Sequence, residues 1–134
     1  MNEKELVRKL VAGSEAIDRM RHEIGLVIKS VRELLQPADF LDFVWERQLT
    51  CFVIRGDTVD WDVHLEVGKG LCIRAVPFRS GQCIYLHDTG ATTISPKNVR
   101  LVHTALPFFV SEMVQHFPKL NDALQPLLDA ADTQ

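Results

Sequence analysis

The sequence predicts an α+β domain: a long N-terminal helix, an antiparallel meander of four or five strands, and two C-terminal helices packed on one face of the sheet. Three stretches carry this reading. Residues 2–36 contain no proline and place apolar or small residues in alternating steps of three and four, from Leu6 to Leu34. Residues 59–67 alternate apolar and polar without exception, the signature of a half-buried strand. Val99, Val102, Leu106, Val110, Met113 and Phe117 then repeat at helical spacing.

The first helix carries Leu6, Leu10, Gly13, Ile17, Met20, Ile24, Val27, Val31 and Leu34 along one seam. A helix of this length spans about 50 Å at ~1.5 Å per residue. A four-stranded sheet is only about 15–20 Å wide, so part of the seam overhangs and a partner chain is expected to bury it. Gly13-Ser14 is a point where the helix bends or divides, and Pro37 ends it. Behind Asp39, the cluster Phe40, Leu41, Phe43, Val44 and Trp45 fits a short helix or a strand equally.

Residues 49–87 read as the meander, punctuated by Gly56-Asp57, Gly68-Lys69-Gly70 and Phe78-Arg79-Ser80-Gly81. Matching apolar faces sets the expected register. Phe52 lies opposite Trp61 and Ile54 opposite Val59; Leu65 faces Ile73 and Val63 faces Ala75; Ala75 faces Ile84 and Ile73 faces Leu86. Leu65 is then mid-strand, with apolar neighbours on both sides. A short fifth strand fits residues 92–94. Ser95-Pro96 starts a single helix, expected to kink at Pro107, that ends at Pro118. A last helix carries Leu120, Leu124, Leu127 and Leu128, with Pro126 as a kink or break.

With 134 residues, the chain makes one domain: helix in 1–36, sheet in 49–94 and C-terminal helices in 95–130. A net charge of -3 argues against a dedicated nucleic-acid binder. No apolar run suits a bilayer, and Asn2-Glu3-Lys4-Glu5 is unlike an export signal, so a cytoplasmic location is expected. Cys51, Cys72 and Cys83 are odd in number and form no C-x-x-C pair, which suits a reducing compartment.

Short motifs add little. Asp88-Thr89-Gly90-Ala91, after Ile84-Tyr85-Leu86, resembles the catalytic motif of retroviral-type aspartic proteases, but the residues that follow read as helix and not as a flap hairpin. An aspartate and a glycine turning the chain out of a strand account for it. Arg55-Gly56-Asp57 has the letters of an integrin-binding tripeptide and reads as a hairpin tip. Gly68-Lys69-Gly70 lacks the spacing of a phosphate loop. The order of elements is broadly similar to that of secretion-chaperone-like small dimers, at the level of layout alone.

On the polar face of the meander, a solvated sheet side with cross-strand ion pairs among His64, Arg74 and Glu66 is the favoured reading, and a binding surface is the alternative weighed against it. The register places Glu66, Cys72 and His87 in one cross-strand row, His64, Arg74 and Tyr85 in the next, and Asp62, Val76 and Cys83 in a third. A mid-strand cysteine such as Cys72 has no glycine nest or helix N-terminus to activate it, which disfavours a Cys72–His87 nucleophile pair. Same-face residues on one strand are ~7 Å apart, so Asp60, Asp62, His64 and Glu66 cannot all reach one ion, although two of them plus a cross-strand partner can. The cysteines show no zinc spacing, and no metal or cofactor is expected.

Together these features predict a non-enzymatic homodimer that binds a protein or a small molecule, with His64, Arg74, Tyr85, Glu66, Asp62, Cys72 and His87 as candidate ligand contacts. The alternative is a small enzyme with His64 or His87 as base, Arg74 as anion anchor and Tyr85 as proton donor.

Overall fold

The computed structural model describes residues 2–36, 38–39, 52–66, 68, 70–78, 83–86 and 94–132, with side chains described as far as residue 126. Helix α1 runs Glu3–Leu34. Asn2 caps it, its side chain accepting from the Glu5 backbone N–H at 2.9 Å, and Glu3 and Glu5 place negative charge at the positive end of the helix dipole. The helix is continuous through Gly13-Ser14, so the pair neither divides it nor starts a second element. At 32 residues it extends about 48 Å.

Its two halves differ. Ile17, Ile24, Gly25, Val27, Ile28 and Val31 are buried, whereas residues 2–12 are exposed throughout. The heptad-like seam therefore meets its own domain only in its later turns.

Strands β1 (Phe52–Ile54), β2 (Val59–Glu66), β3 (Gly70–Pro77) and β4 (Ile84–Leu86) form one antiparallel sheet in the order β1-β2-β3-β4, the expected meander. The third hairpin has the expected register, with Ala75 opposite Ile84 and Ile73 opposite Leu86. The first two are displaced by two residues. Phe52 pairs with Val63 and Ile54 with Trp61; Trp61 pairs with Ala75, Val63 with Ile73 and Leu65 with Leu71.

Turn chemistry explains both corrections. In the first hairpin the Gly56 N–H donates to Asp60 Oδ1 at 3.1 Å, and a Cβ on Gly56 would lie 2.4 Å from the Val59 carbonyl oxygen. The β1–β2 pairing ends at Ile54 and Trp61, so Val59 and Asp60 belong to the turn on that edge, while on the other edge of β2 they pair with Pro77 and Val76. In the second, Gly70 is the first residue of β3 rather than part of the loop: it pairs with Glu66 while holding φ at 77°, and Gly68 holds 81°. A left-handed glycine entering a strand is the device that closes a three-residue hairpin. Moving a turn by one residue moves the register by two, which leaves every side chain on its expected face.

Two apolar rows result, Ile54–Trp61–Ala75–Ile84 and Phe52–Val63–Ile73–Leu86, all buried. Leu65 is not the mid-strand core residue that the expected register made it. It lies near the end of β2 opposite Leu71 and is only partly buried, packed against the core.

Helix α2 (Pro96–His116) begins where the sequence placed it, with Ser95 as N-cap and Pro96 in the first turn, and it continues through Pro107. Its Phe109 ring stacks on Trp61, which seats α2 on the apolar face. Phe117 and His116 meet Phe52 edge-on at the other end of that face. A single 3-10 turn (Pro118–Leu120) leads into α3 (Asn121–Asp132), which runs through Pro126 without a break. Helix α1 packs along α2, tied by Glu23 to His103 and by Arg21, whose Nη2 donates to the Ile94 carbonyl at 2.7 Å. Ile94 is not in a strand; residues 92–93, like residues 40–51, lie outside the described residues.

Among the described residues no helix is long and apolar enough to cross a membrane.

Candidate functional site

The side of the sheet opposite Trp61 carries Asp60, Asp62, His64 and Glu66 from β2, Cys72 and Arg74 from β3, and Tyr85 from β4. The period of two puts them there, and the sequence placed all seven on this side. Their grouping into rows differs from the expectation, because the shift of the second hairpin moves each β2 residue one polar step along β3.

His64, Arg74 and Tyr85 do not share a row. Arg74 is paired across the sheet with Asp62 on one side and Tyr85 on the other, and His64 is paired with Cys72. Glu66 is opposite Gly70, so it does not share a row with Cys72, and Asp62 is not in the row of Val76. His87 lies outside the described residues.

The Asp62–Arg74–Tyr85 row is a closed electrostatic unit. Arg74 Nη2 donates to Asp62 Oδ2, and the guanidinium carbon is 5.8 Å from the Tyr85 ring centroid. The hydrogen bond to Asp62, with Tyr85 second, raises the Arg74 pKa above its ordinary value, so the group stays cationic. Its charge is matched by Asp62 within the row, which leaves less of it for a bound anion. Asp62 Oδ1 and Arg74 Nε are out of water and have no hydrogen-bond partner among the described residues.

The neighbouring His64–Cys72 pair has a different character. Cys72 Sγ donates to Glu66 Oε2 at 3.2 Å and approaches the Gly70 carbonyl oxygen at 3.8 Å. One side-chain ligand atom from each of His64, Glu66 and Cys72 lies within 4.8 Å of the other two. His64 Nδ1 is buried with no hydrogen-bond partner among the described residues. This group contains the soft and borderline donors from which metal sites are built.

The trio lines a cavity of about 720 Å³, within the range of small-molecule sites. Tyr85 completes its polar wall, and Leu71, Ile73 and Leu86, whose side chains belong to the core on the other side of the sheet, also border it. Arg32, from the last turn of α1, also lines it. The sequence offered no sign of Arg32: it flanks a seam that reads as a packing surface, and only the tertiary fold brings the end of α1 to β3 and β4. Compared with known proteins, the chain matches no family model, no curated protein sequence and no solved structure.

Proposed function

We propose that this chain is a homodimeric binding protein that pairs through the first half of α1 and holds a small molecule at the polar end of its sheet. The carrying observation is the contrast along α1. Leu6, Val7, Leu10 and Val11 are 50, 56, 65 and 50% exposed, whereas Ile24, Val27, Ile28 and Val31 are at most 1% exposed. Four neighbouring large apolar side chains on a projecting helix are a surface that association covers.

A second copy is the occupant that the arm suits best. Two-fold pairing buries the same apolar stripe on both chains at once, the commonest closed way to cover such a surface. Gly13 faces open space, with nothing within 4 Å of a Cβ built on it, so two helices can approach closely there.

The concave form of the site favours a small molecule over a protein on that face. The enzyme alternative retains His64 and Tyr85 on the cavity wall, but its proposed anion anchor, Arg74, is engaged by Asp62, which makes binding the better reading.

Sedimentation equilibrium at micromolar concentration tests the assembly. A mass near twice the chain mass of 15.2 kDa is expected, with Leu10→Glu reducing it to a folded monomer of unchanged circular dichroism. A wild-type monomer that keeps its stability on dilution overturns the proposal.

A further inference from the structure

We propose that His64, Glu66 and Cys72 form a zinc site. Strand pairing fixes two of the ligands. His64 and Cys72 are direct cross-strand partners, so their Cβ atoms are about 5 Å apart and point the same way. Glu66 is two residues further along β2, on the same face, and its longer side chain already reaches back to the Cys72 thiol at 3.2 Å. Two residues from one strand and one from the next is the arrangement that the ~7 Å same-face spacing permits.

The donor set selects the metal. A thiolate and an imidazole suit zinc and disfavour calcium and magnesium, which take oxygen ligands. Zinc bonds of ~2.0–2.3 Å place tetrahedral ligand atoms roughly 3.3–3.8 Å apart. The three donors lie within 4.8 Å of one another, so small side-chain rotations close the remaining distance. On binding, the Cys72 S–H bond breaks, its proton goes to solvent and the sulfur lone pair bonds zinc. The hydrogen bond to Glu66 is exchanged for a bond from the carboxylate to the same ion. One thiolate, one carboxylate and one neutral imidazole then carry two negative charges against the two positive charges of the ion, so this half-buried site is left neutral.

His64 supplies the second, independent observation. Its Nδ1 is out of water and unpartnered among the described residues, so no hydrogen bond to them has to be broken at that nitrogen for the ring to take a metal. Three protein ligands leave a fourth position, which is the feature that separates ligand-accepting zinc sites from closed structural ones. That position borders the cavity of about 720 Å³, where a water or a ligand donor completes the tetrahedron.

The test uses the full-length chain with zinc alone, followed by calorimetry, and with cobalt(II) as a spectroscopic substitute. One ion per chain is expected, with a dissociation constant on the order of micromolar or tighter. His64→Gln and Glu66→Gln are each expected to weaken zinc binding at least roughly tenfold. A variant carrying Cys51→Ser and Cys83→Ser retains only one thiol, so a thiolate-to-cobalt charge-transfer band in that variant assigns Cys72 without requiring a Cys72 variant to fold. Absence of zinc binding, absence of that band, or calcium and magnesium competing on equal terms with zinc would each overturn the proposal.

Discussion

Trp61 and Phe109 stack with ring centroids 4.4 Å apart and planes inclined by 23°. Both side chains are completely buried. The contact joins the centre of β2 to the middle of α2, and Ala75, directly across from Trp61, is the small neighbour beside the indole. Phe109→Ala removes one ring of the pair and leaves a cavity against the other, with an expected cost of about 3–5 kcal/mol in equilibrium urea unfolding. Leu65→Ala is expected to cost less than about 2 kcal/mol, because Leu65 is only partly buried at the end of its strand. Equal losses from the two variants would mean that the core is not centred on Trp61.

Glycine substitutions separate close approach from backbone freedom. A Cβ at Gly56 meets the Val59 carbonyl oxygen at 2.4 Å, and a backbone atom cannot swing aside as a side chain does. Gly56→Ala is expected to destabilise by about 1–3 kcal/mol, the range for forcing extra volume into a packed position. Gly13→Ala has open space around it and lies within α1, so it is expected to stabilise the isolated chain by about 0.5–1 kcal/mol. Thermal unfolding of both variants at high dilution measures the two signs together.

The elements and faces of this fold were legible in the sequence because hydrophobic period reports them directly. Register was not. The alternation in β2 is satisfied by any even displacement, and Phe52 is as plausible beside Trp61 as beside Val63. What decided between them was the crossing at Gly56 and the left-handed Gly70, and neither leaves a mark in apolar matching. The candidate site inherits the same limit. His64 and Glu66 were visibly two apart on one polar face, but Cys72 became the partner of His64 only once β3 was placed, and Arg32 entered the cavity wall through tertiary packing alone. Phe109 was omitted from the helical stripe for a related reason: steps of three or four admit either Phe109 or Val110, and the structure buries both.

Acid should loosen the joint between the end of α1 and the turn that precedes α3. Asp39 accepts from Lys119 Nζ and, at 3.0 Å, from the Gln36 backbone N–H. The Lys119 hydrogen bond, followed by the one from Gln36, holds its carboxyl below the usual carboxylate range. A depressed carboxylate pKa contributes stability above the unfolded-state value and loses it as pH falls through the folded-state value. Asp39→Asn is therefore expected to narrow the gap in melting temperature between neutral pH and about pH 3. The effect should be small and should shrink with added salt, because both partners are solvent-exposed. An acid limb unchanged in the variant would show that the pair contributes nothing in solution.

The Asp62–Arg74 pair sets a sharper test, because it separates a solvated sheet face from a partly buried one. On a solvated face, Asp62→Ala would change stability by no more than about 0.5 kcal/mol. The side chains are instead only 15 and 27% exposed, and each has an atom out of water without a partner among the described residues. Removing either partner leaves the other charge in poorly hydrated surroundings, while removing both removes the mismatch. Asp62→Ala and Arg74→Met are each expected to cost about 1–2 kcal/mol, discounted from the figure for a fully buried pair because water still reaches part of the row. The double variant should cost less than the sum of the two, with a coupling of at least about 0.5 kcal/mol in a urea-unfolding cycle. Strict additivity would mean that the guanidinium and the carboxylate are solvated separately, which would free Arg74 to act as the anion anchor that its place between Asp62 and Tyr85 now argues against.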